Sequence, residues 1–279
     1  LACEFNVCAS HMRRSMQKEF GVSPIELAQT QRLLYAKQLL TESNMSVTDV
    51  AFASGFDSLR RFNALFKSRY RLVPTALRRI ARDISVIPNS TYPGINDAMS
   101  FRIDYRPPFN WQTLVAFLGA RAIPGVEAVL DGAYLRTVEI GEHQGWVVVT
   151  PYLTAKRSRA VHALKLTMSD SLRQVSVQVL SKVKTVFDTR ANTNEIDRHL
   201  AQDALLKRSV SQHGGMRLPG AFDGFELLLR AILGQQVSVK GATTLAGRMA
   251  VAFGKPIVTP WAELTHLSPD VGRVARARL

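Results

Sequence analysis

The stretch AFASGFDSLRRFNALFKSRYRLVP, residues 51–74, decides the fold of the first part of this chain. Its side chains Phe62, Phe66 and Tyr70 recur every four residues, a spacing that places them on one face of a helix. Residues 1–24, LACEFNVCASHMRRSMQKEFGVSP, follow the same pattern, although the two windows share only their last proline. The sequence therefore predicts two helices of one design, each with an apolar face against a protein core.

In the first window the apolar row consists of Met12, Met16 and Phe20, which we expect to be buried like its counterpart. Basic and polar residues occupy the other faces of both helices. They are His11, Arg13, Arg14, Gln17 and Lys18 in the first helix, and Arg60, Arg61, Asn63 and Lys67 in the second. Two such cationic faces indicate a polyanionic partner.

We expect a short apolar helix and a turn ahead of each cationic helix, and the second case shows the signals clearly. Residues 47–53 carry an apolar stripe, Gly55 can end the helix, and Ser58 suits the N-cap of the next one. This order is typical of a helix-turn-helix, whose second helix enters the major groove of DNA. The alternative is that Arg60 and Arg61 only form a solvated helix face. The expected DNA contacts are Ser10, His11, Arg13, Arg14, Lys18, Ser58, Arg60, Arg61, Asn63 and Lys67.

Basic charge is spread over both parts of the chain. The formal net charge is +14, of which residues 1–83 carry +6 and the remainder +8. This distribution points to two surfaces that meet phosphate, with double-stranded DNA as the partner. The sequence has neither a membrane-length apolar run nor a signal-peptide layout, so we expect a cytoplasmic protein. The C-x4-C spacing of Cys3 and Cys8 supplies too few ligands for zinc, and we expect no metal and no cofactor.

Further residues stand at characteristic positions around the second helix-turn-helix. They are Gly55-Phe56, Ser58, Phe62, Phe66-Lys67, Pro74 and Arg78. With them, residues 1–83 resemble the paired, all-α helix-turn-helix domain of AraC-type regulators, of the Ada kind, and residues 24–40 resemble its long coupling helix. That family has one more helix before the first unit, so we expect Leu1 to be a truncation point. The resemblance implies a bacterial, nucleoid-associated protein with RNA polymerase as a further partner.

The pattern changes after residue 83. Residues 84–100 are rich in proline, glycine and asparagine and predict an interdomain linker. Residues 101–216 predict an antiparallel sheet with helices, an α+β domain. The predicted strands are residues 101–105, 134–140, 145–152 and 160–167, and the predicted helices are residues 111–122 and 171–187. Helical patterns dominate again after residue 194, and residues 217–279 predict the start of an all-α domain.

Several separated motifs in this second part occur in a characteristic order. They are Tyr105-Arg106-Pro107-Pro108-Phe109, Phe117-Leu118, Ala120-Arg121-Ala122, Val126-Glu127, Tyr134, Arg217-Leu218-Pro219-Gly220, Phe222-Asp223-Gly224-Phe225-Glu226, and Ala231-Ile232-Leu233-Gly234-Gln235-Gln236-Val237-Ser238-Val239. With them, residues 100–279 resemble the AlkA-type 3-methyladenine DNA glycosylases, with the N-terminal sheet domain followed by an incomplete helix-hairpin-helix glycosylase domain. The resemblance implies a base-excision enzyme for alkylated DNA, joined here to a regulator.

Glycosylases extrude the damaged nucleotide from the stack, and a side chain must then support the distorted duplex. In the resembled family a loop residue at the position of Gln236 acts as this wedge. Gln235 and Ser238 are expected to add backbone or minor-groove contacts. The alternative is that Gln235, Gln236 and Ser238 only cap one helix and start the next.

No catalytic residue is expected in this chain. The helix-hairpin-helix and the aspartate that the resemblance implies are expected beyond Leu279, and Glu226, Glu263 and Asp270 are not expected to replace that aspartate. The chain should therefore bind DNA without excising bases. The alternative function is a transcription regulator without glycosylase activity. Methyl transfer to a protein cysteine, as in Ada proteins, would require a cysteine-rich domain ahead of Leu1.

Overall fold

The computed structural model describes residues 6–43, 45–84, 98–152 and 161–277. The chain divides into two compact units, Leu1–Ser85 and Val86–Leu279. The first is helical, and the second joins a five-stranded antiparallel sheet to helices. This confirms the predicted fold class. No helix in the described ranges is long and apolar enough to cross a membrane.

The first unit is built from helices whose ends follow local sequence signals. Ser23 and Glu26 form a capping box, in which each side chain accepts a hydrogen bond from the other residue's backbone N–H. Gly55 follows the third helix with φ +78°, and Ser58 Oγ accepts a hydrogen bond from the Arg61 backbone N–H. The helices are α1 Ala9–Phe20, α2 Pro24–Glu42, α3 Val47–Ala53, α4 Leu59–Tyr70 and α5 Pro74–Ile84. The predicted second helix-turn-helix is confirmed.

A row of aromatic rings forms the centre of this unit. Phe62 lies 5.2 Å from Phe56 and 5.5 Å from Phe66 between ring centres, and Phe66 lies 4.7 Å from Tyr70. Phe62 and Phe66 are fully buried because α3 and α5 both pack against α4. Burying a phenyl ring contributes about 1.5 to 3 kcal/mol, so this row is a large part of what holds α4 in place.

The first cationic helix is buried less than its sequence predicts. Met12 and Met16 are half-buried, but Phe20 is 73% exposed, and the prediction of its burial was wrong. The physical reason is the number of neighbours, because α1 packs mainly against α2 while α4 is flanked on two sides. The short helix predicted ahead of α1 falls on residues 1–5, which lie outside the described residues.

The sheet of the second unit confirms the predicted strands and adds one. Its strands, in the order β1-β5-β4-β3-β2, are β1 Ala98–Asp104, β5 Ala163–Ser169, β4 His143–Pro151, β3 Ala133–Ile140 and β2 Glu127–Leu130. Strand β2 was missed because it has only four residues, one of them a glutamate. Strand β1 begins inside the predicted linker, since Ala98 already pairs with Ser169. At the other border, α5 extends to Ile84.

The second unit also contains helices, one between β1 and β2 and the others after β5. They are α6 Trp111–Gly119, α7 Ser176–Val186, α8 Thr193–Leu200, α9 Ala204–Gln212, α10 Gly224–Leu233, α11 Val239–Phe253 and α12 Val271–Ala275. The predicted helix 171–187 begins instead with a 3-10 helix, Asp170–Val175, ahead of α7. Just before α10, the guanidinium carbon of Arg217 lies 4.5 Å from the ring centre of Phe109, and Arg217 donates a hydrogen bond to the Pro108 carbonyl. Asp223 then caps α10.

The different burial of α1 and α4 can be tested with a matched pair of variants. Phe62→Ala should lower the free energy of unfolding of the first unit by about 3 to 5 kcal/mol, because a buried ring is removed. Phe20→Ala should change it by less than about 0.5 kcal/mol, as for other exposed positions. Urea unfolding followed by circular dichroism measures both.

Tryptophan fluorescence provides the internal control, since Trp111, Trp146 and Trp261 all belong to the second unit. The urea concentration at which this fluorescence reports unfolding should be the same in both variants as in the unmodified protein. Equal losses in Phe20→Ala and Phe62→Ala would contradict the unequal packing.

Candidate nucleic-acid interfaces

One face of α4 carries three of the predicted DNA-contacting side chains. Arg60, Asn63 and Lys67 fall at i, i+3 and i+7, so at about 100° per residue they share one face. All three are exposed. Arg61 is exposed as well but lies about 100° around the helix from Arg60. The hydroxyl oxygen of Ser58 accepts the capping hydrogen bond from the Arg61 backbone N–H, and its contact with DNA stays a prediction.

Helix α1 presents a second row. Ser10, Arg14 and Lys18 recur at intervals of four and share a face, and none of the residues of α1 is buried. Cys8 stands at the N-cap position without a capping hydrogen bond, and its sulfur lies 3.2 Å from the hydroxyl of Ser10. The remaining predicted contacts of this helix, His11 and Arg13, are exposed too. Their contact with DNA stays a prediction.

A third candidate surface is the loop between α10 and α11, residues 234–238, which we call the glutamine loop. Gln235 and Gln236 are exposed, and Gln236 has φ +59°, in the left-handed region that side chains with a Cβ seldom adopt. Such a conformation in an exposed loop is a common feature of ligand contacts. Ser238 is the N-cap of α11, where its Oγ accepts from the Gly241 backbone N–H at 3.1 Å. Capping is therefore confirmed for Ser238.

A buried group of ion pairs joins the sheet to α10, the helix that ends at this loop. Arg136 on β3 donates to Glu226 on α10 at 2.8 Å and to Glu127 on β2 at 3.4 Å. Arg230, one turn further along α10, donates to both Glu127 and Glu226. Tyr134 donates its hydroxyl hydrogen to Glu127. We call Glu127, Tyr134, Arg136, Glu226 and Arg230 the buried ion network.

The network shifts the pKa of Glu226 and of Tyr134. Burial alone would raise the pKa of Glu226, but the charges of Arg136 and Arg230 outweigh it and hold that pKa below its usual 4.5. Burial and the charge of Glu127 raise the pKa of Tyr134 well above its usual range. The carboxylate of Glu226 is therefore ionised, and both Glu127 and Glu226 are bound by arginines. Neither is available as an acid, a base or a stabiliser of a cationic sugar.

Sequence reasoning missed this network. The sequence signal that could have indicated it is a charged residue within a mainly apolar strand, Glu127 in β2 and Arg136 in β3. Of the other acidic residues that were set aside, Asp270 caps α12 by accepting from the Arg273 backbone N–H, and Glu263 is exposed.

Two family profiles match this chain. The profile of a helix-turn-helix domain matches residues 1–80, and the profile of the AlkA N-terminal domain matches residues 100–223. The first contains α1 and the helix-turn-helix of α3 and α4. The second contains the sheet and Glu127, Tyr134 and Arg136 of the buried ion network.

The match to one relative extends over both parts, and a second relative matches about half of the chain. A protein of Mycobacterium tuberculosis named probable bifunctional transcriptional activator/DNA repair enzyme AlkA is 33% identical over 275 residues, which cover 99% of this chain and 53% of that protein. DNA-3-methyladenine glycosylase 2 of Escherichia coli is 35% identical over 155 residues, or 56% of this chain and 51% of that enzyme. The chain spans about half the length of the curated relatives it matches.

A solved structure shows the fold of the second part. The 3-methyladenine DNA-glycosylase of Archaeoglobus fulgidus aligns with a TM-score of 0.52 at 20% identity, covering 63% of this chain and 58% of that one. The similarity supports the predicted arrangement of a sheet followed by helices.

The buried ion network predicts a pH-dependent stability. Glu226→Gln removes a carboxylate from the buried Arg136 and the half-buried Arg230 and should lower the free energy of unfolding of the second unit by about 3 to 5 kcal/mol at neutral pH. Because the folded pKa of Glu226 is depressed, its contribution is complete above 4.5 and is lost as pH falls through the folded value. Urea unfolding followed by tryptophan fluorescence should show the gap to the unmodified protein narrowing below that pH.

Glu195→Gln is the matched control, since Glu195 is an exposed glutamate on α8 in the same unit. It should change stability by less than about 0.5 kcal/mol. If the difference in free energy of unfolding between Glu226→Gln and the unmodified protein stayed constant at acidic pH, the proposed network would be contradicted.

Proposed function

We propose that this chain, which joins an AraC-type helix-turn-helix domain to an AlkA N-terminal domain and is homologous to a bifunctional AlkA protein, acts in the response to alkylation damage of DNA. The helix-turn-helix unit provides sequence-specific DNA binding. The second unit engages alkylated bases for excision of the DNA-3-methyladenine glycosylase II type. Contact with RNA polymerase and association with the bacterial nucleoid belong to the same proposal.

One observation carries the DNA-binding half. On α4, Arg60, Asn63 and Lys67 are all exposed, while Phe62 and Phe66 of the same helix are buried. A rigid helix with a free cationic face is what the major groove accepts. Nothing within the described residues pairs with the guanidinium of Arg60.

The repair half is supported by the chemistry of the damage and by the glutamine loop. Alkylation at adenine N3 or guanine N7 makes the base cationic and a better leaving group, so the main task is to extrude and hold the nucleotide. Gln236 is exposed in a left-handed conformation at the tip of a loop anchored by two helices. We propose that Gln236 is the wedge. Gln235 and Ser238, the latter at the N-terminus of α11, would add backbone or minor-groove contacts beside it.

The competing function is regulation alone, with the second unit as an attached scaffold. It shares the helix-turn-helix and differs in predicting no preference for damaged DNA. A run-off transcription assay on a promoter that carries the selected binding site tests the regulatory part of both. Activation there without any preference for damaged DNA would favour regulation alone.

The specific binding can be tested on α4. Arg60→Ala should weaken binding to a duplex selected from a random pool by about 1 to 3 kcal/mol and relax the preference at one base pair. Arg69→Ala is the matched control, because Arg69 is exposed on the same helix but nine residues away, on the opposite face. Anisotropy titration of a labelled duplex measures both.

Two outcomes would revise this role. A uniform loss for Arg60→Ala on all sequences would make the residue a phosphate contact. Equal losses for Arg60→Ala and Arg69→Ala would contradict the assignment of the face.

The repair half makes a separate prediction about catalysis. Since Glu127 and Glu226 are both bound by arginines, no carboxylate of the buried ion network can stabilise a cationic sugar. The purified chain should therefore release no 3-methyladenine from a methylated duplex. Chromatography of the released bases measures this, with the Escherichia coli glycosylase as positive control. Measurable release by the chain would show that a catalytic group has been misplaced.

A further inference from the structure

Two cavities meet beside the glutamine loop. One of about 380 Å³ extends below α10, and one of about 200 Å³ lies between α10 and α11. Arg121 and Arg230 line both cavities, and Gly234 and Val237 of the loop line the smaller one. Arg121 belongs to the turn after α6, in the sheet-bearing part of the unit. A residue of the AlkA N-terminal domain therefore stands next to the loop proposed to enter DNA.

The structure holds Arg121 at this place from two sides. Its carbonyl accepts a hydrogen bond from Arg230 Nη1 at 2.7 Å, which connects the turn to the last part of α10. Its guanidinium carbon lies 3.8 Å from the ring centre of Phe117, a phenyl group that is 41% exposed. Its Nη1 also donates to the Phe117 carbonyl at 3.4 Å, so the hydrogens on Nε and Nη2 of the stacked guanidinium remain for another partner.

The charges around the larger cavity do not balance. Its charged lining consists of two carboxylates and three guanidinium groups, those of Glu127, Glu226, Arg121, Arg136 and Arg230. Both carboxylates bind Arg136 and Arg230. In the part of the chain that the structure describes, no carboxylate pairs with Arg121. The surplus positive charge at this site is therefore carried by Arg121.

We propose that Arg121 binds a backbone phosphate of the DNA strand that the glutamine loop distorts, so that the sheet domain contributes directly to damage recognition. The proposal rests on the proposed function of that loop. The N–H edge of a guanidinium matches two phosphate oxygens, and stacking on Phe117 orders the side chain before DNA arrives. The contact is expected only where the duplex is opened, because the half-buried Arg121 lies at the border of the cavities.

The test uses the full chain with two duplexes of one sequence, one intact and one with a tetrahydrofuran abasic site. The unmodified protein should prefer the abasic duplex. Arg121→Ala should lower that preference about tenfold, the loss of one charged hydrogen-bonded contact. It should also reduce the slope of log Kd against log salt by about 0.9 on the abasic duplex alone. Arg121→Lys should retain the slope but not the full affinity.

Two further variants separate the possible failures. Arg198→Ala, on the exposed face of α8, is the matched arginine control and should not alter the preference. Gln236→Ala should abolish it if the glutamine loop has its proposed role. Loss in Gln236→Ala with full preference in Arg121→Ala would overturn this inference alone. If Arg121→Ala lost the same affinity on the intact and on the abasic duplex, the inference would also be overturned. If the unmodified protein showed no preference for the abasic duplex, both this inference and the repair half of the proposed function would be overturned.

Discussion

The second unit depends on four charges that are balanced inside the protein. Glu127 and Arg136 come from neighbouring strands, and Glu226 and Arg230 come from a helix about ninety residues later in the chain. Each of these charges would be costly to bury alone, by several kcal/mol. The helix can therefore dock on the sheet in only one register, the one in which every carboxylate oxygen finds an arginine. The position of α10 sets the position of the loop that follows it.

This constraint explains why a sheet belongs to a unit whose proposed contacts with damaged bases lie on helices. The strands supply the fixed half of the buried ion network, and Arg217 anchors the chain segment just ahead of α10 by stacking on Phe109. The segment that leads to the glutamine loop is thus held at one end by the loop between β1 and α6 and at the other end by the sheet. A rigid support of this kind is what a wedge needs, because a mobile loop would not hold an extruded nucleotide.

Local signals predicted much of the fold, and the interactions that the sequence did not predict are long-range. The period of Phe62, Phe66 and Tyr70 predicted α4, and Ser58 predicted its start, because both signals act within a few residues. The prediction that Phe20 is buried was wrong because burial depends on which helices lie nearby. A local sequence pattern carries no information about those neighbours. The partner of Glu226 could not be predicted either, since Arg136 is ninety positions away. The conformation of Gln236 is likewise set by the two helices around it.

The two cationic helices of the first unit share a pattern but not a packing environment, and this difference bears on how they would meet DNA. Helix α4 is fixed by its buried aromatic row, so the helix presents its exposed face in one orientation. Helix α1 has no buried residue, and elements with little buried contact open at low free-energy cost. A helix held in this way can adjust to a duplex whose shape varies with sequence, at the expense of some ordering entropy. We therefore infer a division of labour within the pair, in which α4 carries most of the sequence discrimination and α1 contributes mainly electrostatic affinity.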